Sequence, residues 1–380
     1  MPDSTMWPGP SRALQFHLDL FERLDKVYRY LGHLSTLDEV REVHTETMPR
    51  QLTQRLRLMT ASTGLDGSTV SDARDNIQIM FDKENWERTA QVMKVEYRAL
   101  DEGETHYVSH SVMSSVETAA RSMDPELLFE TDMPCPAGVI VFEYPLMTND
   151  LHPDTGEVVP GLLMPVRAIA WSMSNVMMND GRVRPGLCYC LYTDAEAYKK
   201  FYLRSYRELI GMDDDEIALA EGAADLRSWL TDTSGWAFGE SWDDDKYGEG
   251  VSFIRRFLLS YFRWTWQRIL VPTPYTPSRA EKKWVARVKP PLADGHIKVL
   301  RLRREIEHER RGSGEYQGVY DHQFIVRGFW RRQWYKSLGP ARINGEFNHE
   351  SHRLVYVEPF VKGNPNGPLV VGHNVVASVR

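Results

Sequence analysis

The sequence predicts an α+β protein with a helical amino-terminal part, a central antiparallel β region that also carries helices, and a small antiparallel β sheet at the carboxy terminus. Three observations lead there. Apolar residues recur at helical spacing before Met133, and β-branched and aromatic runs punctuated by Pro and Gly begin at Pro134. After Arg279, short alternating segments are separated by turn residues.

Taken in order, Leu14, Leu18, Phe21, Leu24 and Val27 predict a helix over Arg12–Tyr30. Glu39–Leu58 and Ile77–Tyr97 also read as amphipathic helices, joined by a Gly/Ser/Asp-rich loop at Ala61–Asn76. Thr105–Phe129 reads as a further helix. Pro134–Leu146, LLMPVRAIAWSMSN and LCYCLYTD are strands around turn sequences, so Pro134–Asp194 predicts an antiparallel meander. Ala195–Leu209 returns to helix, and Asp213–Leu230 opens on acids that suit a helix amino end. TSGWAFGESWDDDKYGEG reads as a loop. Val251–Leu270 is apolar almost all round and predicts a buried helix. VPTPYTPS (Val271–Ser278) ends it and serves as a linker. Strands follow at Ile297–Arg304, His322–Trp330, Arg353–Val361 and Leu369–Val376. The predicted organisation is a helical region over 1–133, a mixed β/α region over 134–270, and a basic β module over 279–380.

The 380 residues suit one large domain or two to three smaller ones. No stretch approaches the ~20 apolar residues of a membrane span, so no membrane partner is expected. The amino terminus lacks a basic start followed by an apolar run. Cys135, Cys188 and Cys190 include no CxxC pair. The expectation is a cytoplasmic protein.

Charge is unevenly placed. Arg279–Arg380 holds nineteen Lys and Arg against ten Asp and Glu, a net of +9. The whole chain carries −7, so everything before Arg279 carries −16. A basic module on an acidic body points to an anionic partner, or to a tail that docks on its own body.

Familiar chemical motifs are missing. The chain has no GxxxxGK[ST], no GxGxxG after a strand and no GxSxG, so no cofactor is expected. His106 and His110 are four apart, which is metal-ligand spacing on the predicted helix. They lack the neighbouring Glu of zinc proteases and read as a solvent-facing pair. No metal site is predicted. The runs Asp213–Asp215 and Asp243–Asp245 read as caps and solvated acids. Cys135 reads as structural, since no nearby His would activate it.

The tail carries the functional expectation. In DHQFIVRGFWRRQWY, alternation puts His322, Phe324, Val326 and Trp330 on one face and Gln323, Ile325, Arg327, Phe329 and Arg331 on the other. If this strand pairs with HRLVYVEPFVKG, then His322, Arg327, Arg331, His352, Arg353 and Lys362 approach one another. Guanidinium forks bind phosphate and aromatic rings stack on bases. The candidate nucleic-acid-binding residues are Arg327, Trp330, Arg331, Arg332, Trp334, Tyr335, Arg353 and Lys362. His322 and His352 are the candidate catalytic residues, as proton carriers in phosphodiester cleavage. Against this, Arg stems cover apolar surface and basic groups pair with acids elsewhere in a chain.

The residues Leu302, Arg303, Arg304, His322, Val326, Arg327, Gly328, Trp330, Arg331, Gln333, Trp334, Tyr335, His352, Arg353, Pro359, Lys362 and Gly363 form a pattern. It resembles the carboxy-terminal region of a family of uncharacterised proteins from actinobacteria and their phages. MPCPAGVIVFEYPL and VRAIAW resemble that family's central strands. Phe329 stands where the family pattern has His. The resemblance implies a phage or host-cell setting and brings no activity with it.

The leading expectation is a protein that binds nucleic acid through its tail, RNA or single strands before duplex, because aromatics and Arg suit stacking and no recognition-helix motif is present. A metal-independent ribonuclease-like or toxin-like activity through His322 or His352 extends that reading. The rival is a non-catalytic factor that binds a host protein through Trp-rich surfaces. Oligomeric state is not legible.

Overall fold

The computed structural model describes residues 5–31, 95–151, 158–177, 182–210, 229–241, 249–287, 295–303, 323–326, 328–358 and 360–363. Helix α1 spans Pro10–Leu31. Strand β1 spans Glu104–Val108 and helix α2 His110–Arg121. Strands β2 (Ala137–Leu151), β3 (Val158–Met177) and β4 (Val183–Thr193) form the antiparallel meander that the sequence predicts. A helical stretch runs over Ala195–Ala197, a π-helical turn at Tyr198–Leu203, and Arg204–Ile210. Then come β5 (Trp229–Ala237), α3 (Glu249–Trp266), β6 (Leu270–Pro274), α4 (Arg279–Val285) and β7 (Ile297–Leu302).

Seven strands make one sheet in the order β5-β4-β3-β2-β1-β7-β6. The expected antiparallel region is therefore corrected to a mixed sheet, because β1 runs parallel to both β2 and β7. The reason lies in residues 104–121. Thr105, Tyr107 and Val108 are β-branched or aromatic and pack a strand interior. Ser109 then caps α2, accepting from the Val112 N–H at 3.4 Å. The expected helix over Thr105–Phe129 is thus a strand followed by a shorter helix, and His106 and His110 share no helix face. Two further expectations change. VPTPYTPS supplies edge strand β6, where Pro272 and Pro274 are tolerated because only one side pairs. TSGWA belongs to β5 rather than to a loop. Strand β7, expected in the tail's own sheet, joins the central one.

Alternation along β2 sets the layers. Val139 and Val141 pack with α1 and the helical residues 95–101, alongside Ala168, Ala170 and Tyr192. Ile140 and Phe142 pack on the opposite side with α2 and α3. The apolar character of α3 follows from this burial: Phe253, Phe257, Leu258, Phe262 and Trp264 all lie in that core. Gly138 and Gly103 permit a close approach, since a Cβ on Gly138 would stand 2.5 Å from the Trp171 ring.

The predicted elements at Glu39–Leu58, Ala61–Asn76, Asp213–Asp215, Asp243–Asp245 and Leu369–Val376 lie outside the described residues. The same holds for most of Ile77–Tyr97. No helix among the described residues is long and apolar enough to cross a membrane.

Candidate functional site

After β7 the chain forms β8 (Gln323–Val326), β9 (Phe329–Trp334), β10 (Arg342–Ile343), β11 (Glu346–Phe347), β12 (His352–Val357) and β13 (Phe360–Gly363). Among the described residues they pair as β8–β13, β9–β12 and β10–β11. Val326 pairs with Phe360 and Phe329 pairs with Val357, so two residues lie between the two pairs on each side. The register is unbroken, and β8–β9 with β12–β13 form one long, two-stranded ribbon interrupted at its middle.

An isolated two-stranded ribbon is marginal in water. This one is held by docking. Leu354 and Tyr356 are buried in the core shared with α2 and α3, and Trp330 packs against it. The Tyr356 ring stacks on Trp264 at 4.9 Å between centroids. The Trp330 indole N–H donates to the Ala119 carbonyl in the last turn of α2 at 2.8 Å.

Charge reinforces the docking. Glu126 and Asp132, both buried, face three guanidiniums. Arg332 donates to Glu126 at 3.0 Å. Arg263 lies 3.3 Å from Asp132 and 3.8 Å from Glu126. Arg353 lies 3.6 Å from Asp132, donates to Thr131 Oγ1 at 2.9 Å and covers the Phe129 ring at 4.3 Å. Burial lowers the Arg353 pKa, and the Asp132 charge opposes that shift.

The predicted site residues separate on this ribbon. Trp330, Arg332 and Arg353 are engaged with the body. Directly paired residues and every second residue share a face, so His352, Trp334 and Arg332 lie together while Arg331 and Arg353 lie on the other face. The His352 ring packs on Phe347 at 4.1 Å, and its Nδ1 lies 2.9 Å from the Asn348 carbonyl. Tyr335 meets Trp266 edge-on at 5.4 Å. Arg331 is exposed. Lys362 pairs with Phe324 across β13–β8. His322 and Arg327 lie outside the described residues.

What remains open to solvent mixes large apolar and charged side chains. Among the described residues, eight large apolar side chains are exposed. Five of them are Phe329, Trp334, Leu338, Ile343 and Phe347, and a sixth is Trp266 beside Tyr335. The Trp334 indole N–H donates to Gly339 at 3.0 Å, which ties the Leu338 turn to the strand. Phe347 reaches the same end through His352, the cross-strand partner of Trp334. Exposed Arg331, Lys336 and Arg342 stand among these groups.

A second polar cluster escaped the sequence reading. Glu104 and His106 share one face of β1, and Lys298 is paired with His106 across β7. The Glu104 carboxylate takes His106 Nε2 at 3.3 Å and bonds Lys298 Nζ. The buried His106 Nδ1 bonds the hydroxyl of buried Tyr261. The bond to His106, then Lys298, holds the Glu104 pKa at about 2. Burial keeps the Tyr261 phenol well above its usual range and pushes the nearby Cys135 thiol to about 11. Beside it, His17 bonds Thr105 Oγ1 at 2.7 Å, and its ring meets His296 at 4.6 Å. Burial lowers the pKa of both, His296 to about 4. At neutral pH this cluster has a weakly basic carboxylate and a protonated, buried phenol, which suits a structural tie between β1, β7 and α3 rather than proton transfer. Glu-x-His on a strand was the signal, hidden by the helical reading.

No protein-family model, curated protein or solved structure matches this chain.

Proposed function

We propose that the carboxy-terminal ribbon is a protein-interaction module, anchored on the body by one set of side chains and offering another to a partner. The observation that carries this is the set of exposed apolar side chains along Phe329–Phe347 beside exposed Arg331. Exposed apolar groups of this kind mark interaction surfaces, and Trp, Phe and Arg are enriched there. The resemblance to proteins of actinobacteria and their phages makes a host protein the expected partner.

Nucleic acid is the second reading, favoured by exposed Arg331, Lys336 and Arg342 around Trp334. It loses two of its expected phosphate ligands, since Arg332 and Arg353 already meet carboxylates.

One comparison separates the two. Immobilised full-length protein is used to capture partners from host lysate, and a labelled single-stranded RNA is titrated against it over rising salt. A protein partner that is captured and is lost in Phe329→Ser/Trp334→Ser supports the module. RNA binding that weakens steeply with salt and vanishes in Arg331→Ala/Arg342→Ala, with no partner captured, overturns it in favour of nucleic acid.

A further inference from the structure

The two edges of the docked ribbon are treated differently. On β12, the outward Leu354 carbonyl accepts from Gln267 Nε2 at 3.4 Å, and the outward Tyr356 N–H donates to Gln267 Oε1 at 3.1 Å. One side-chain amide thus closes that edge as a third strand would. Residues directly opposite in an antiparallel pair turn their backbone groups the same way, both inward or both outward. Leu354 is opposite Arg332 and Tyr356 is opposite Trp330, so the N–H and C=O of Trp330 and Arg332 turn outward from β9. Trp334, two residues on, has the same phase, and the inward Tyr335 N–H confirms it by donating to Ser351 at 2.9 Å.

Among the described residues, little closes that second edge. The Trp334 carbonyl takes the Gln333 side chain at 3.2 Å. Among the described residues, the outward N–H groups of Trp330, Arg332 and Trp334 meet no acceptor, and β9 pairs with β12 alone. Edge strands are commonly protected by shortness, charged side chains, Pro, bulges or cover. Strand β9 has no Pro and its ladder with β12 carries no register shift, which leaves Arg331 and Arg332 as its guard among the described residues. Such an edge repels basic strands and is the geometry on which an extended peptide of opposite charge adds as a strand.

Charge selects the occupant. From Phe329 to Phe347 the chain holds one acid, Glu346, against Arg331, Lys336 and Arg342, with Arg332 already meeting Glu126. A second copy pairing through this edge would set arginines against arginines, which is unfavourable. An acidic strand meets complementary charge at Arg331 on one face, with Trp334 on the other available for its apolar side chains.

We infer that the open edge of β9 receives an extended, acidic segment of a partner protein as a third strand. This rests on the interaction-module reading and adds the mode of pairing and the partner's chemistry. The test selects displayed random peptides on full-length protein. Enriched peptides are then synthesised with ordinary and with N-methylated backbones. Amide hydrogen exchange is followed at Trp330, Arg332 and Trp334. The expected result is enrichment of Asp and Glu alternating with Val, Ile or aromatic residues. Binding should fall at least tenfold on N-methylation, and the three amides should gain protection. Arg331→Glu, folded with an unchanged melting temperature, should weaken the same peptides at least tenfold. Basic or neutral enriched sequences, binding indifferent to N-methylation, unprotected amides or no enrichment each overturn the proposal. If strand addition fails while a partner is still lost in Phe329→Ser/Trp334→Ser, the module reading survives without it. If both fail, the module reading falls too.

Discussion

Replacing Asp132 by Asn tests whether the ribbon is held by paired charge. The Asp132 carboxylate takes the Phe129 N–H at 2.9 Å, Arg263 at 3.3 Å and Arg353 at 3.6 Å. Arg263 is 1 % exposed and Arg353 7 % exposed, so neither guanidinium can turn to water without moving its strand or helix. An amide in place of the carboxylate removes one of two negative charges among three positive ones. Breaking a buried pair by deleting one partner costs about 3–5 kcal/mol, mostly from the charge left behind. The Phe129–Arg353 contact survives the change and so does not enter the difference. Urea unfolding at neutral pH should therefore show Asp132→Asn destabilised by about 3 kcal/mol or more. Limited proteolysis should cut earlier between β9 and β12. Adding Arg353→Met to Asp132→Asn should recover part of the loss, since the stranded charge goes with it. A single variant within about 0.5 kcal/mol of the parent would refute the reasoning, because that is the scale of an exposed pair.

Two other outcomes follow from the second polar cluster. His17 and His296 are kept neutral by burial, whereas in the unfolded chain they take a proton near the usual 6.5. The unfolded state then binds more protons below that pH, so stability is fully present above about 6.5 and is lost as the pH falls toward 4, by about 3 kcal/mol for His296 alone. Glu104, held at about 2, adds its own loss below about 4.5. Urea midpoints at neutral and acid pH should differ accordingly, and His296→Gln should flatten the slope; an unchanged slope counts against the assignment. Cys135, with its thiol raised to about 11 by burial and by the Glu104 charge, should resist alkylation at neutral pH in the folded protein. Fast labelling there would show the thiol to be open and ionised.

Local pattern made part of the fold legible. The meander over Pro134–Asp194 could be read because β-branched and aromatic residues alternate between strong turn signals, and helix α3 because its apolar surface continues around it. In the stretch ETHYVSHSVM, Val112, Met113 and, beyond it, Val116 carry a true helical period, but that period does not reach back across Ser109. What ends it is a single capping hydroxyl, whereas the preceding Glu-x-His alternation belongs to a strand. Strand β7 was recognisable, but a run of alternating residues does not say which sheet it joins. The site was less legible than the fold. Arg331 and Arg332 are neighbours in sequence and both are exposed, yet Arg332 also reaches Glu126, 206 residues away. Only the long-range packing of Leu354 and Tyr356 on the helices decides which arginine lands on the carboxylate.

The uneven charge acquires a specific meaning from that packing. If the +9 of the tail simply attracted the −16 of the body, exposed pairs at their interface would be screened and worth little. Instead two carboxylates of the body are buried against the ribbon, where screening is weak and partners are fixed. That arrangement is costly unless every charge is met, so it specifies one docked position of the ribbon rather than a loose electrostatic association. A fixed ribbon has a fixed second edge. With one edge closed by Gln267 and one face taken up by Trp330, Leu354 and Tyr356, the remaining edge of β9 is pre-ordered. A segment adding there would have to order only itself.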